Sequence, residues 1–159
     1  ALRFSNVYGP YSYHKGSVIA HFLNQLLSSQ ELIVYGNGEQ TRDFTYVSDI
    51  VDALVTAVQS DRTSRVYNVG SGATVSVNRL VELLGGDKVH IPKRPGEPDC
   101  TFADISRIQK ELGWQPKVSI EEGIANLLIN INYWREAPVW TPDSIAVATK
   151  DWFRYLGDS

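Results

Sequence analysis

Two arginines of this chain lie beside a turn or a loop, where a cation could bind an anion. Arg42 follows the turn signal 36–38, and Arg94 lies in a loop rich in proline. The planar guanidinium fork can pair with two oxygens of a phosphate or carboxylate at once. On the residues alone, two interpretations stay open, and the second of them is favoured. The arginines form an anion clamp built from two sides, or Arg42 pairs with Asp43 or Asp49 on the surface and Arg94 is solvated.

Three further residues carry groups that suit the same chemistry. The amide of Asn6 can donate to a phosphate without adding charge, although asparagine is also a common turn residue. Ser17 and Val18 stand at the predicted start of a helix, where free backbone N–H groups favour anions. The alternatives are helix capping for Ser17 and core packing for Val18.

Other classes of function find less support in the composition. The histidines His14, His21 and His90 lack the spacing of metal ligands, so we expect no metal site. The net charge of −3 argues against a nucleic-acid binder, and no apolar run reaches the length of a membrane span. The single cysteine, Cys100, excludes an internal disulfide framework and is typical of a reducing compartment, so we expect a cytoplasmic protein.

Strands and helices that must position these groups alternate along the 159 residues. Apolar runs and period-two alternation predict strands, whereas apolar residues at helical spacing predict helices. The predicted strands are 1–4, 32–35, 42–47, 65–69 and 88–91. The predicted helices are 16–29, 49–59, 77–84, 105–112 and 120–135, followed by a last helix from Thr141.

Single residues predict further details of these elements. Residues 6–10 have the pattern of a loop, and strands 32–35 and 42–47 could pair as a hairpin-like unit. The helix 49–59 has a broad apolar face, so we expect it to be packed on both sides. Good N-caps precede three helices and a capping box precedes a fourth: Ser48, Ser76, Asp104, and Ser119 with Glu122.

The alternation predicts an α/β fold with parallel connections. The first strand begins at Ala1 without any lead-in, so we expect its sheet to continue in a longer protein, of which this chain is the back half. Residues 1–10 and 48–75 are predicted to be pieces of that larger sheet. The predicted smaller lobe comprises 16–47 and 86–135, and a helical tail covers 136–159.

Seven short stretches occur in the order typical of one enzyme family. They are 2–10 (LRFSNVYGP), 34–38 (VYGNG), 40–44 (QTRDF) with Val47 and Asp49, 67–72 (YNVGSG), 94–97 (RPGE), 103–106 (ADIS) and 112–116 (LGWQP). Together they resemble the extended short-chain dehydrogenases/reductases that act on nucleotide-sugars, the NAD-dependent epimerase/dehydratase family. The resemblance implies the C-terminal part of a Rossmann-type parallel sheet plus a smaller substrate-binding α/β lobe.

The resemblance also implies a ligand and a role for each candidate residue. The substrate would be a UDP- or dTDP-sugar, with its diphosphate held by Arg42, Arg94 and Asn6. The remaining contacts implied for the nucleotide are Ser17 and Val18 in the pocket, Ile33, Val34 and Tyr35 at the base, and Glu97, in place of the usual aspartate, at the ribose. Phe4 would approach the nicotinamide of NAD, and the full-length protein would be a homodimer.

Catalysis is implied to lie ahead of Ala1, where the family has its glycine-rich NAD loop and its Tyr-x-x-x-Lys pair. We therefore expect no catalytic residue in this chain and no turnover by the chain alone. Gly70-Ser71-Gly72 is not a dinucleotide fingerprint, because Val75 stands where a third glycine is needed. Two alternatives are a non-catalytic nucleotide-sugar-binding or regulatory protein of the same fold, and an RNA- or protein-binding scaffold, which the acidic balance disfavours.

Overall fold

The structure, a computed structural model, describes residues 1–12 and 15–132, together with positions 147 and 150. The strands are β1 Leu2–Phe4, β2 Asn6–Tyr8, β3 Leu32–Tyr35, β4 Thr41–Arg42, β5 Phe44–Tyr46, β6 Tyr67–Val69, β7 Val75–Ser76, β8 Lys88–Ile91 and β9 Cys100–Thr101. The helices are α1 Val18–Leu27, α2 Val47–Gln59, α3 Val77–Leu84, α4 Ser106–Leu112 and α5 Ile120–Ile129. The predicted helix from Thr141 and the tail 136–159 fall outside the described residues.

The strand pairing confirms an α/β fold with mostly parallel connections. β1 pairs with β6, β2 with β5, β3 with β8 and β4 with β9, all in parallel. The exception is β7, which pairs antiparallel with β4. Parallel neighbouring strands need crossover connections, and here helices supply several of them. As a result, stretches that are distant in the sequence lie side by side.

Two hydrophobic clusters hold these elements together. The larger one joins α1, α3, β3 and α5, and its fully buried side chains include Phe22, Leu23, Leu32, Leu80 and Leu127. The smaller one packs α2 and α4 on β6, with Ala53, Val69 and Ile108 at its centre. Burial of these apolar surfaces is the main favourable term in folding.

The loop and the hairpin predicted from the sequence are wrong. Residues 6–8 form β2, which pairs with β5 in the register Asn6↔Phe44 and Tyr8↔Tyr46. The predicted strand 42–47 is two strands, because Asp43 interrupts it and donates its backbone N–H to the Thr101 carbonyl at 3.0 Å. β3 pairs with β8 rather than with either of them.

The start and the environment of α2 also differ from prediction. The helix begins at Val47, one residue ahead of the expected Ser48 cap, and Tyr46 is its N-cap residue without a side-chain bond. Asp49 is buried and accepts the N–H groups of Lys117 and Val118, both at 3.1 Å, which ties the segment before α5 to α2. The helix buries one face only: Val51, Leu54, Val55 and Val58 are exposed.

The other predicted caps make side-chain bonds to backbone N–H groups two or three residues further along the chain. Ser76 Oγ accepts the Arg79 N–H and Ser119 Oγ accepts the Glu122 N–H, each at 3.1 Å. Asp104 accepts the Ser106 N–H at 2.9 Å, although Ile105 is the N-cap residue of α4. Local bonds of this kind follow from short-range sequence and need no knowledge of the fold.

Tyr8 leads to a prediction about stability. Its ring is buried against Phe44 and Tyr46, burial raises the pKa of its hydroxyl, and that hydroxyl has no hydrogen-bond partner among the described residues. An unsatisfied buried polar group is unfavourable, so we expect Tyr8→Phe to raise the free energy of unfolding by about 1 kcal/mol. Chemical denaturation at neutral pH measures this change.

Tyr67→Phe is the matched control with the opposite sign. The Tyr67 hydroxyl donates to Glu111 Oε2 at 2.8 Å, so its removal loses a bond to a charged group and lowers stability. If both Tyr→Phe changes destabilise the protein equally, the Tyr8 hydroxyl has a partner and the prediction is wrong.

Candidate functional site

A cavity of about 440 Å³ opens beside α1, β3 and the loop that follows β8. Its wall contains eight of the nine predicted substrate-binding residues: Asn6, Ser17, Val18, Ile33, Tyr35, Arg42, Arg94 and Glu97. The ninth, Val34, does not reach it, because its side chain is fully buried in the larger core. Residues separated by up to 91 positions in the chain therefore meet around one space.

Arg42 faces this cavity with its guanidinium already held on two sides. Nη1 donates to its neighbour Thr41's carbonyl at 2.8 Å, and Nη2 donates to Glu97 Oε1 at 2.8 Å. The Arg42 side chain is only 12% exposed, so the ion pair is partly shielded from water. The alternative that Arg42 pairs with Asp43 or Asp49 is wrong, since the structure gives both acids other partners.

Arg94 lies three residues before Glu97 in the chain, and its guanidinium stacks on an aromatic ring. Its guanidinium carbon is 3.7 Å from the centroid of the Tyr35 ring, within the range of a cation–π contact. Arg94 is therefore not simply a solvated loop residue. Arg42, Arg94 and Glu97 line the same cavity as the β3 residues Ile33 and Tyr35.

The edge of β3 opposite β8 is capped at two points by glutamines. Leu32 and Gly36 donate their N–H groups towards β8. Because successive residues of a strand point their backbone groups to opposite edges, those of Ile33 and Tyr35 point to the other edge. There Gln25 Oε1 accepts the Ile33 N–H at 3.2 Å, and Gln40 Nε2 donates to the Tyr35 carbonyl at 2.8 Å. The Ile33 carbonyl and the Tyr35 N–H remain, one acceptor and one donor without partners among the described residues.

Asn6 lies where β2 begins, and protein groups already contact its amide. Nδ2 donates to the Asp43 carbonyl at 3.0 Å and makes a longer contact of 3.4 Å with Thr101 Oγ1. Ser17 precedes α1 without a side-chain cap bond, although its backbone adopts the extended conformation of an N-cap residue.

Asp43 is a residue whose importance the sequence interpretation missed. It is buried, and its carboxylate accepts from Ser71 N–H and Ser71 Oγ at 2.8 Å, from Ser5 Oγ at 3.1 Å and from Ala103 N–H at 3.2 Å. These donors belong to three segments remote from each other in sequence. The signal was present, since Asp43 lies in the family stretch 40–44 beside Arg42, but its donors cannot be identified from spacing.

A second cavity of about 340 Å³ adjoins the C-terminal end of β1. Phe4, the predicted cofactor contact, lies in its wall and is 44% exposed, and Phe102 is 59% exposed. Asn68 and Thr101 add an amide and a hydroxyl. Asn6 belongs to the walls of both cavities, so the two spaces meet at this residue.

One pair in the chain has the spacing Tyr-x-x-x-Lys, namely Tyr11 and Lys15. This pair lies in the loop between β2 and α1, and Tyr11 is 73% exposed with a φ of 65°. Lys15 donates from Nζ to the Val7 carbonyl at 2.9 Å. Residues four apart share a face only in a helix, so this pair does not have the arrangement that the family spacing implies.

The described part of the chain contains neither a cluster of metal ligands nor a membrane-spanning helix. No group of three His, Cys, Asp or Glu side chains there could hold a metal ion. No helix among these residues is long and apolar enough to cross a membrane.

The comparisons with known proteins agree with one another. The model of the GDP-mannose 4,6 dehydratase family matches residues 1–127. A putative UDP-glucose 4-epimerase from Methanocaldococcus jannaschii is 35% identical over 135 residues, which are 80% of this chain and 43% of the relative. The chain thus spans less than half the length of this relative.

Two of the solved structures that resemble this fold are epimerases with a UDP-sugar bound. The UDP-glucose 4-epimerase from Thermotoga maritima with UDP-glucose has a TM-score of 0.75 and 35% identity, covering 85% of this chain and 45% of that one. The UDP-glucuronic acid 4-epimerase from Bacillus cereus with UDP-glucuronic acid and NAD also has a TM-score of 0.75, with 29% identity over 85% of this chain and 44% of that one.

Proposed function

Because the chain belongs to the NAD-dependent epimerase/dehydratase family of nucleotide-sugar enzymes, we propose that it is the part of such an enzyme that binds the nucleotide-sugar. The observation that carries the proposal is the cavity of about 440 Å³, whose wall joins Asn6, Arg42 and Arg94 from separate stretches. A diphosphate needs cationic and neutral donors on more than one side, and this wall supplies them.

The diphosphate would lie between the two arginines. A guanidinium has five N–H donors, so Arg42 keeps donors beyond those that it uses in this structure. Asn6 would donate the amide hydrogen that now makes the long contact with Thr101. Ser17 stands at the N-terminus of the ten-residue helix α1, whose first N–H groups and dipole favour negative charge.

The base and the ribose would occupy the β3 side of the cavity. Uracil and thymine each present a ring N–H beside a carbonyl oxygen, which complements the Ile33 carbonyl and the Tyr35 N–H. Glu97 would accept from the ribose hydroxyls. Val34 would take part only through the strand that it belongs to, since its side chain is in the core.

NAD is proposed to bind beside the second cavity, and the residues there fit a flat aromatic ring. Phe4 and Phe102 expose apolar surface, and Asn68 brings an amide. When bound, NAD would supply a hydride acceptor for a hydroxyl-bearing carbon of the sugar. Phe4 would lie against the cofactor, and Asn6, shared by both walls, would place the sugar between cofactor and diphosphate.

The whole protein is proposed to be a cytoplasmic homodimer that acts as an epimerase or dehydratase on a UDP- or dTDP-sugar. The activity is supported by relatives that include a putative UDP-glucose 4-epimerase and a dTDP-glucose 4,6-dehydratase, and the reducing compartment by Cys100, an exposed free thiol. Sedimentation of the full-length protein tests the dimer.

Titration of the chain with UDP and with UMP tests the binding proposal. We expect UDP to bind roughly tenfold more tightly, because UMP lacks the second phosphate and its charge-assisted hydrogen bonds. Calorimetry measures both affinities, and circular dichroism checks that the chain is folded. A folded chain that binds neither UDP nor UDP-glucose would contradict the proposal.

A further inference from the structure

Both arginines of the proposed diphosphate site are already engaged by residues of the same cavity. Arg42 Nη2 lies 2.8 Å from Glu97 Oε1, and the guanidinium of Arg94 lies 3.7 Å from the centre of the Tyr35 ring. The Arg42 and Glu97 side chains are 12% and 28% exposed, so water screens their pairing only in part.

The partners of these arginines are the residues assigned above to the nucleoside. Glu97 is the proposed contact of the ribose, and Tyr35 belongs to the strand that meets the base. We propose that the ribose of a nucleoside diphosphate releases Arg42 from Glu97 to the diphosphate, so that Glu97 makes the site selective for nucleoside diphosphates over bare diphosphate. The inference rests on the proposed function, and it adds a specificity role for Glu97.

The charges explain why a bare diphosphate is disfavoured. Inorganic pyrophosphate has to compete with the Glu97 carboxylate for Arg42, and any position near Arg42 puts it beside that negative charge. A nucleoside diphosphate carries ribose hydroxyls, which are hydrogen-bond donors. They can satisfy Glu97 when Arg42 turns to the phosphates, so neither group is left without a partner.

The length of the Glu97 side chain matters to this exchange. The family resemblance predicts an aspartate at this position, which is one methylene shorter. The longer side chain reaches Arg42, which lies 55 residues earlier in the chain, at a short distance of 2.8 Å. Glu97 is therefore both a ligand for the ribose and a competitor for the phosphate site.

Glu97→Gln separates these two roles. It removes the negative charge but keeps the size of the side chain. We expect the variant to bind inorganic pyrophosphate roughly fivefold more tightly than the unchanged chain does. Its affinity for UDP should be equal to that of the unchanged chain or lower. Calorimetric titrations of both ligands in the same buffer measure the two changes.

Two further variants make the result decisive. Glu31→Gln removes an exposed negative charge outside the cavity, so it reports the effect of net charge alone. Glu97→Asp keeps the charge and shortens the side chain, and we expect a smaller gain in pyrophosphate affinity than with Glu97→Gln. Melting curves show that each variant is folded.

The possible outcomes separate this inference from the proposed function. If the unchanged chain binds UDP but Glu97→Gln leaves pyrophosphate affinity unchanged, or changes it no more than Glu31→Gln does, the selectivity role of Glu97 is wrong and the binding site stands. If the unchanged chain binds no UDP, the proposed function fails and the inference fails with it.

Discussion

Replacing Asp43 with alanine is expected to lower the free energy of unfolding by about 3 kcal/mol, one of the largest effects of any single change in this chain. The carboxylate is 1% exposed and accepts four hydrogen bonds of 3.2 Å or less. Alanine would leave the part-buried N–H groups of Ser71 and Ala103 without acceptors. Such groups are costly because water cannot replace the lost partner.

The change should also disturb binding, because Asp43 positions the residues on both sides of it. Its backbone carbonyl accepts from the Asn6 N–H and the Asn6 amide, each at 3.0 Å, and its N–H donates to the Thr101 carbonyl. Arg42 is the preceding residue. Loosening of this junction would displace both Arg42 and Asn6, so UDP affinity is expected to fall together with stability.

Thermal and urea denaturation measure the loss, which corresponds to roughly 6–12 °C in melting temperature for a domain of this size. Asp43→Asn keeps one oxygen and the volume, and it should cost less than alanine. Asp61→Ala, in the exposed loop after α2, should cost almost nothing. A loss after Asp43→Ala no larger than that of Asp61→Ala would refute the role of the buried carboxylate.

Arg42→Ala is expected to weaken UDP binding by about tenfold to a hundredfold, the scale of lost hydrogen bonds between charged groups. Arg42 is the most deeply placed cation of the cavity, with its side chain 12% exposed, so its phosphate contacts would be poorly screened. Arg94→Ala should act in the same direction, because its guanidinium faces the same space.

Arg42→Lys distinguishes charge from geometry. Lysine keeps the positive charge but has no planar fork, so we expect an affinity between those of the alanine variant and the unchanged chain. Arg62→Ala, in the exposed loop after α2, is the control for net charge and should leave UDP affinity unchanged. Equal losses for Arg42→Ala and Arg62→Ala in calorimetric titrations would remove Arg42 from the site.

Local features of the fold could be predicted from neighbouring residues. The apolar spacing of 77–84 and the Ser76 hydroxyl predict α3, and the structure has the helix and the cap bond at Arg79 N–H. The predicted helix 105–112 ends at Leu112 in the structure, and Gly113 after it adopts the left-handed conformation, with a φ of 67°. Such features involve contacts within a few positions, so a short window of sequence contains the information.

Strand pairing could not be predicted in this way. Residues 6–8 have the pattern of a loop because Gly9 and Pro10 follow them, yet they form β2 beside β5, 38 positions later. The prediction that α2 is packed on both sides is wrong for a related reason. Its apolar spacing specifies a face that can be buried but not what covers it, and among the described residues Val51 and Val58 remain exposed.

By itself the sequence determined the alternation of strands and helices, the Ser76 and Ser119 caps, and the ordered motifs that identify the family. It also marked the candidate residues, since side-chain chemistry is a property of each residue. Only the tertiary structure decided which of them meet. Arg42 contacts Glu97, and Asp43 accepts hydrogen bonds from residues up to 60 positions away. On β3, the Ile33 carbonyl and the Tyr35 N–H stay without partners among the described residues. The physical reason is that these contacts depend on parallel strand pairing and crossover packing, which join segments whose separation along the chain carries no signal of their proximity.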